Sequence, residues 1–298
     1  MRTARRRDYY ETTPDSKFGP GDIWSDLPTF GLLPRPEAVG IVITAACDFA
    51  NQKTETVTYL PMVPLLEYFT LPPAIPSVLK RCQGQLIAAG LPDLIAPVGR
   101  GFLPPPVPQL RAARESLAAH LGDQNLSAGK REAAGRADAG IAILLRAWQE
   151  PTGLPTTLAQ DLALLWGKDW GEMCENLITN SLPTLHFLPA DGQPQEYSGV
   201  PEHSLILFRY PITVPSEILY CANDVGIHGW QSGIRELAAV YPMAKTGLAK
   251  RPMKRSALRK PFMVDVIARY VSLYGRVGSP SLAPVSLKRI VGDLKGAT

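Results

Sequence analysis

At 298 residues the chain is long enough for one large domain or two ordinary ones. Its 45% hydrophobic and 19% charged residues exclude a disordered chain and supply a sizeable core. No apolar run approaches the roughly 20 residues that span a bilayer, and the net charge of +4 is mild.

The start, Met1-Arg-Thr-Ala-Arg-Arg-Arg, has the charge of an export signal, but Asp8-Tyr-Tyr-Glu follows where an apolar segment would begin. A cytoplasmic protein with a flexible basic leader over 1–17 is expected. A β-rich part follows over 18–105. Gly19-Pro-Gly-Asp-Ile-Trp is a turn running into a strand. Glu37-Ala-Val-Gly-Ile-Val-Ile-Thr-Ala is β-branched and almost continuously apolar, which predicts a buried strand. Residues 54–64 predict another, ending at a sheet edge or bulge because of Pro61 and Pro64. The polar connection 46–53 lies between them.

Proline-rich runs at 71–76 and 103–108 predict extended linkers around a modest helix over 77–89. A helical insertion is expected over 106–180, with helices at 109–121, 130–149 and 156–178; Thr157 is placed to cap the last. Asp161, Asp169, Glu172 and Glu175 have the spacing of a solvated face. Trp148, Trp166, Trp170 and Trp230 are expected to pack helices. The last part, 181–298, predicts strands at 184–188 and 204–211, the latter followed by Ile212-Thr-Val-Pro, then a basic loop and a helix over 261–276. Phe262, Val266, Ile267, Tyr270 and Tyr274 make that helix's apolar stripe.

No phosphate-binding loop, dinucleotide fingerprint, H-E-x-x-H or G-x-S-x-G occurs. No cofactor is expected. Cys47, Cys82, Cys174 and Cys221 are scattered, without a C-x-x-C pair, and are expected to be reduced thiols. Cys47, Cys221 and His228 lack the paired spacing of a zinc site, so no metal is expected. Cys47 is either a small hydrophobe closing a strand, with Asp48 capping the next turn, or a nucleophile needing His186, His203 or His228 as base.

The order Gly21-Asp-Ile, an apolar strand, an Asn51-bearing loop and a strand ending Pro61-Met-Val-Pro resembles the SH3-like barrel of the MazF/PemK toxin family, over roughly 45 residues. The resemblance implies an α+β protein: a small SH3-like β-barrel with a helical insertion and a C-terminal helix. It also implies endoribonuclease chemistry built on an Arg ahead of the second strand and a hydroxyl after the third. Arg35 takes the first role. Pro64 stands where the hydroxyl belongs, so Glu67 or Thr70 has to substitute. The implied catalytic set is Arg35, Cys47, Asp48 and Glu67.

Cys47-Asp48 after a buried strand, together with Lys260-Pro-Phe and Ala268-Arg-Tyr, is also similar to uncharacterised bacterial proteins associated with conflict or phage-defence systems. Lys245, Lys250, Arg251, Lys254, Arg255, Arg259 and Lys260 form one acid-free basic block, which is either a solvated loop or a phosphate-contacting surface. Tyr241, Tyr270 and Tyr274 stand near it, as stacking surfaces or as core. The expected function is a binding or regulatory protein of such a system. It would engage RNA, DNA or a partner protein, with no membrane; a rearranged MazF/PemK-type nuclease is the rival.

Overall fold

The computed structural model describes residues 9–11, 18–45, 53–95, 101–149, 156–194, 198–224, 227–245 and 248–275, with side chains at all but 227, 228 and 245. The three strands expected near the start form an antiparallel meander: β1 (Asp22–Pro28), β2 (Glu37–Val42) and β3 (Thr56–Pro64). The free edge of β3 is then taken by β5 (Ser204–Leu207) and β6 (Ile212–Pro215). β4 (Leu185–Leu188) pairs with β5, and β7 (Met253–Ala257) pairs with β1. The result is a seven-stranded antiparallel sheet of order β4-β5-β3-β2-β1-β7, with β6 beside β5 on β3.

This sheet is open, so the closed SH3-like barrel expected from the resemblance is corrected. β3 does not turn back to close on β1, because strands from the far half of the chain occupy its other edge. β4 and β7 are the two ends, and the connection leaving β4 bridges them by side-chain contacts rather than by strand pairing. The Tyr10 hydroxyl donates to the Pro189 carbonyl, and Gly199 lies so close to Ser256 that an added Cβ would fall 2.5 Å from the serine Cβ.

Side chains alternate between two buried faces. Ile23, Ile41, Leu60, Met62 and Ile206 pack under α8 (Lys260–Tyr274), with Tyr10, Phe208 and Val266. On the other face, Trp24, Val42, Val57, Tyr59 and Val214 pack against α6 (Ser216–Asp224) and α7 (Ile227–Val240). Nearer β4 and β5 that face carries α1 (Ile75–Ala89), α2 (Val107–Leu121), α3 (Ala128–Ala147), α4 (Leu158–Trp166) and α5 (Trp170–Ile178). Burial on both faces explains why β2 reads as a continuous apolar run.

The helices correct the expectations in several places. The 71–76 run is no extended linker: it turns into α1, with proline in that helix's first turn, where a missing N–H costs nothing. The single helix expected over 156–178 is capped by Thr157 and Gln160 as a capping box, but breaks at Gly167 (φ 57°). Residues 9–11 of the leader are not frayed. Tyr10 is buried and bridges to Leu258, and Tyr9 stacks on Phe262 at 3.9 Å between ring centres. Helices α6 and α7 and strand β7 had no expected counterpart.

Pro61 sits inside β3, where proline removes a ladder donor. The neighbouring strand is interrupted alongside it. Met62 faces Ile206 and Tyr59 faces Ile212, so the two β3 residues between them lie opposite five residues, 207–211. On the other side Pro61 faces Gly40. An added Cβ at Gly40 would fall 2.8 Å from Leu27 Cδ1 and 2.9 Å from Tyr59 Cδ2, because the Tyr59 ring crosses β2 there and donates its hydroxyl to the Pro28 carbonyl of β1. Gly40→Ala is therefore expected to cost about 1–3 kcal/mol by overpacking, measured as a lower urea midpoint at unchanged m-value. A midpoint equal to wild type would show that the crossing has slack.

Candidate functional site

The loop between β1 and β2 is a compact turn. Phe30 and Gly31 take positive φ (48° and 78°), the Thr29 hydroxyl donates to the Arg35 carbonyl, and the Thr29 N–H donates to Pro36 at 2.9 Å. It presents Arg35 to a 3-10 turn, Glu67–Thr70, that follows β3 directly. The Arg35 guanidinium pairs with the Glu67 carboxylate. The pair lines a cavity of about 310 Å³ together with Thr70, Arg146, Gln149 and Leu158.

Arg35 and both residues considered for the missing hydroxyl, Glu67 and Thr70, line this one cavity. Pro64 does not take part: it is the last residue of β3, paired with Ser204. Arg146 and Gln149 went unforeseen. Arg146 closes α3, more than a hundred residues from Arg35, so only packing brings the two together.

The polar groups of this cavity are turned on one another. Arg146 pairs with Asp161 and donates to the Thr156 carbonyl at 2.8 Å. The Gln149 amide donates to the Pro34 carbonyl at 2.9 Å, and the Thr70 hydroxyl to the Glu67 carbonyl at 2.8 Å. Asp161 was expected on a solvated face; instead it is 1% exposed, buried by its pairing with Arg146. Asp169 pairs with Arg81, whose hydrogen bond holds its carboxyl below the usual range.

Cys47 and Asp48 lie outside the described residues. Of the bases considered for Cys47, His203 accepts the Ala190 N–H at 3.0 Å. His186 is buried under α8, 3.9 Å from Asp265, and its Nδ1 has no hydrogen bond. Burial drives the His186 pKa down to about 4, against an upward pull from Asp265 and with a further push down from Arg269. The side chain of His228 is outside the described residues. Cys82, Cys174 and Cys221 are free thiols. Cys82 is a core residue against Gly140 of α3, and burial pushes its thiol up to about 12, which leaves it inert at neutral pH. Among the described residues no group of three or more His, Cys, Asp or Glu side chains is placed to hold a metal ion.

The basic block is only partly a loop. Residues 253–257 are β7, and most of its cations are engaged by the fold. Lys254 pairs with buried Asp22 at 2.8 Å, Arg251 donates to the Ala222 carbonyl at 2.9 Å, and Arg259 to the Tyr10 carbonyl at 3.0 Å. Arg255 donates to the Ser25 hydroxyl at 3.2 Å. Lys250 reaches Glu37 at 2.8 Å and Asp26 at 3.8 Å from an exposed position. Lys260 is exposed at the start of α8, and the Lys245 side chain is outside the described residues. Tyr270 meets Phe208 edge to face, and the Tyr274 hydroxyl donates to the Phe208 carbonyl at 2.9 Å.

Two outcomes separate the structural charges from the surface ones. Arg146→Ala leaves the Asp161 carboxylate buried and unpaired, an expected loss of about 3–5 kcal/mol. Arg35→Ala, at a pair open to water, is expected to lose less than about 1 kcal/mol. Urea unfolding of both variants checks the contrast, and equal losses would refute it.

His186 sets a pH dependence. The unfolded side chain takes a proton near pH 6.5, while the folded one resists until about pH 4. Its contribution is thus fully favourable above pH 6.5, is lost as pH falls through that window, and is level below it. His186→Phe should flatten that part of the profile. The gap between wild type and variant should change by on the order of 2 kcal/mol between pH 7 and pH 4.5; parallel profiles would show that His186 titrates normally.

No protein-family model, no curated protein and no solved structure matches the chain.

Proposed function

We propose that the chain is a binding or regulatory protein of a bacterial conflict system, of toxin or phage-defence type, which engages nucleic acid in the cytoplasm without cutting it. One observation carries this: the cavity holding Arg35, Glu67 and Thr70 spends its polar groups on the protein itself. Phosphodiester cleavage needs donors aimed at the position where charge develops, and a base within reach of the attacking hydroxyl. In this cavity the guanidinium groups are closed on carboxylates. Glu67, the one carboxylate at the rim that would act as base, is neutralised by Arg35.

Support for the nucleic-acid half comes from the β7 edge. Lys250, Arg255 and Lys260 stand along one end of the sheet and the head of α8. The Lys250 side chain is exposed, so a phosphate can reach it, in competition with the better-buried carboxylates of Glu37 and Asp26. Counterion release then supplies affinity. Lys254 differs: 11% exposed and held by buried Asp22, it stays with the sheet.

Gel shifts with single- and double-stranded RNA and DNA, at about 50 and about 200 mM salt, test this reading. A shift at the lower salt is expected, with intact RNA. The double variant Lys250→Ala/Lys260→Ala should weaken it and reduce the salt slope by about one for each phosphate no longer neutralised. No shift at low salt removes nucleic acid and leaves a protein partner. RNA cut by wild type but not by Arg35→Ala or Glu67→Gln replaces this proposal with the endoribonuclease.

A further inference from the structure

Residues 208–211, which leave the ladder opposite Pro61, send their side chains to opposite faces. Phe208 joins the core under α8. Arg209 and Tyr210 go to the helical side and close one wall of a second cavity, of about 300 Å³. Tyr68 from the turn after β3, Pro73 ahead of α1, Phe102 ahead of α2, and Leu185 and Leu207 from the sheet make the other walls. The cavity shares no lining residue with the one that holds Arg35.

Three features of this cavity point to a ligand. Its floor is apolar, and at its rim the Phe102 ring is left 58% exposed, open to an incoming ring. Two phenols converge on it. Burial, with Tyr210 alongside, pushes Tyr68 up to about 12, and burial also raises Tyr210, so both are neutral hydrogen-bond donors at neutral pH. Finally, Arg209 is exposed at the mouth, its charge felt by the Tyr210 phenol, and makes no ion pair or hydrogen bond with any described residue. In the first cavity both arginines are closed on carboxylates; here the guanidinium is not.

We infer that this cavity binds a small planar aromatic molecule carrying one phosphate or carboxylate, the ring held among Tyr68, Phe102 and Tyr210 and the anionic group by Arg209. A guanidinium matches either anion with two parallel hydrogen bonds and also stacks on flat rings. The volume is at the lower end of the range for small-ligand sites, room for one ring system rather than a polymer. The inference is independent of the proposed nucleic-acid binding, which uses the β7 edge.

Titration calorimetry on the full chain tests it. The probes are adenosine 5′-monophosphate against adenosine, 1-naphthoate against 1-naphthylmethanol, and inorganic phosphate and acetate as ring-free anions. At least one aromatic anion should bind with a dissociation constant at or below about 1 mM, and its neutral and ring-free counterparts about tenfold or more weaker. Which aromatic anion binds tighter names the head group. Arg209→Ala should abolish the preference for the anion at unchanged melting temperature, since the side chain supports nothing in the fold, and Phe102→Ala should weaken ring binding. Neutral and anionic forms binding alike, an Arg209→Ala variant matching wild type, or no saturable heat from any aromatic anion up to about 10 mM would overturn it.

Discussion

A proline in the middle of a central strand is the constraint around which this sheet is arranged. Pro61 cannot donate to a ladder, yet β3 is paired on both edges. The strand alongside answers by splitting into β5 and β6, with five residues set against two. The opposite edge answers with Gly40, over which Tyr59 lies to reach the Pro28 carbonyl. The interruption that accommodates the proline is also what throws Arg209 and Tyr210 out of the sheet plane and against the helices. The position of the second cavity thus follows from a backbone requirement of β3.

The two ends of the chain are joined by charges placed inside the fold rather than on it. Gly21-Asp22-Ile23, the tripeptide that carries the toxin resemblance, has a structural role here. Gly21 takes φ 89° under Met263 of α8. Asp22 accepts the Gly19 N–H and pairs with Lys254 of β7. Ile23 is core. Arg269 does the same from α8, donating to the carbonyls of Asn180 at 2.6 Å and Leu185 at 3.4 Å, and so ties the last helix to the turn that leads into β4. A buried pair of this kind costs desolvation and is worth keeping chiefly for the register it imposes. That is the sense in which β7, an edge strand rich in lysine and arginine, is held to β1.

The two cavities contrast in how their cations are used. Around Arg35 every guanidinium meets a carboxylate or a carbonyl, and the result is a rigid, self-satisfied corner between the β1–β2 loop and α3. Around the second cavity aromatic rings and phenols stand beside Arg209, an exposed cation with no acid among the described residues to hold it. A guanidinium beside apolar walls is a strong recognition element for an incoming anion, because the interaction is screened less there than on a flat, fully hydrated face.

Local patterns in the sequence were enough for the mixed α/β class, the strands β1 to β3, the Thr157 cap and the span of α8. Each depends on a short-range signal: β-branched runs, a capping box or a helical stripe. The open sheet, α6 and α7, β7 inside the basic block, the burial of Asp161 and the gathering of Arg209 with Tyr68 and Phe102 were decided by tertiary structure alone. Composition shows that a lysine-rich segment is charged, but not that Asp22 waits for one of its lysines; nor does spacing reveal that residues 204–215 will take the edge of β3 rather than leave it to close a barrel. Apart from the Arg146–Asp161 pair, those outcomes rest on pairings between segments far apart in the chain, whose free energy comes from burying both faces of one sheet, and no local pattern encodes them.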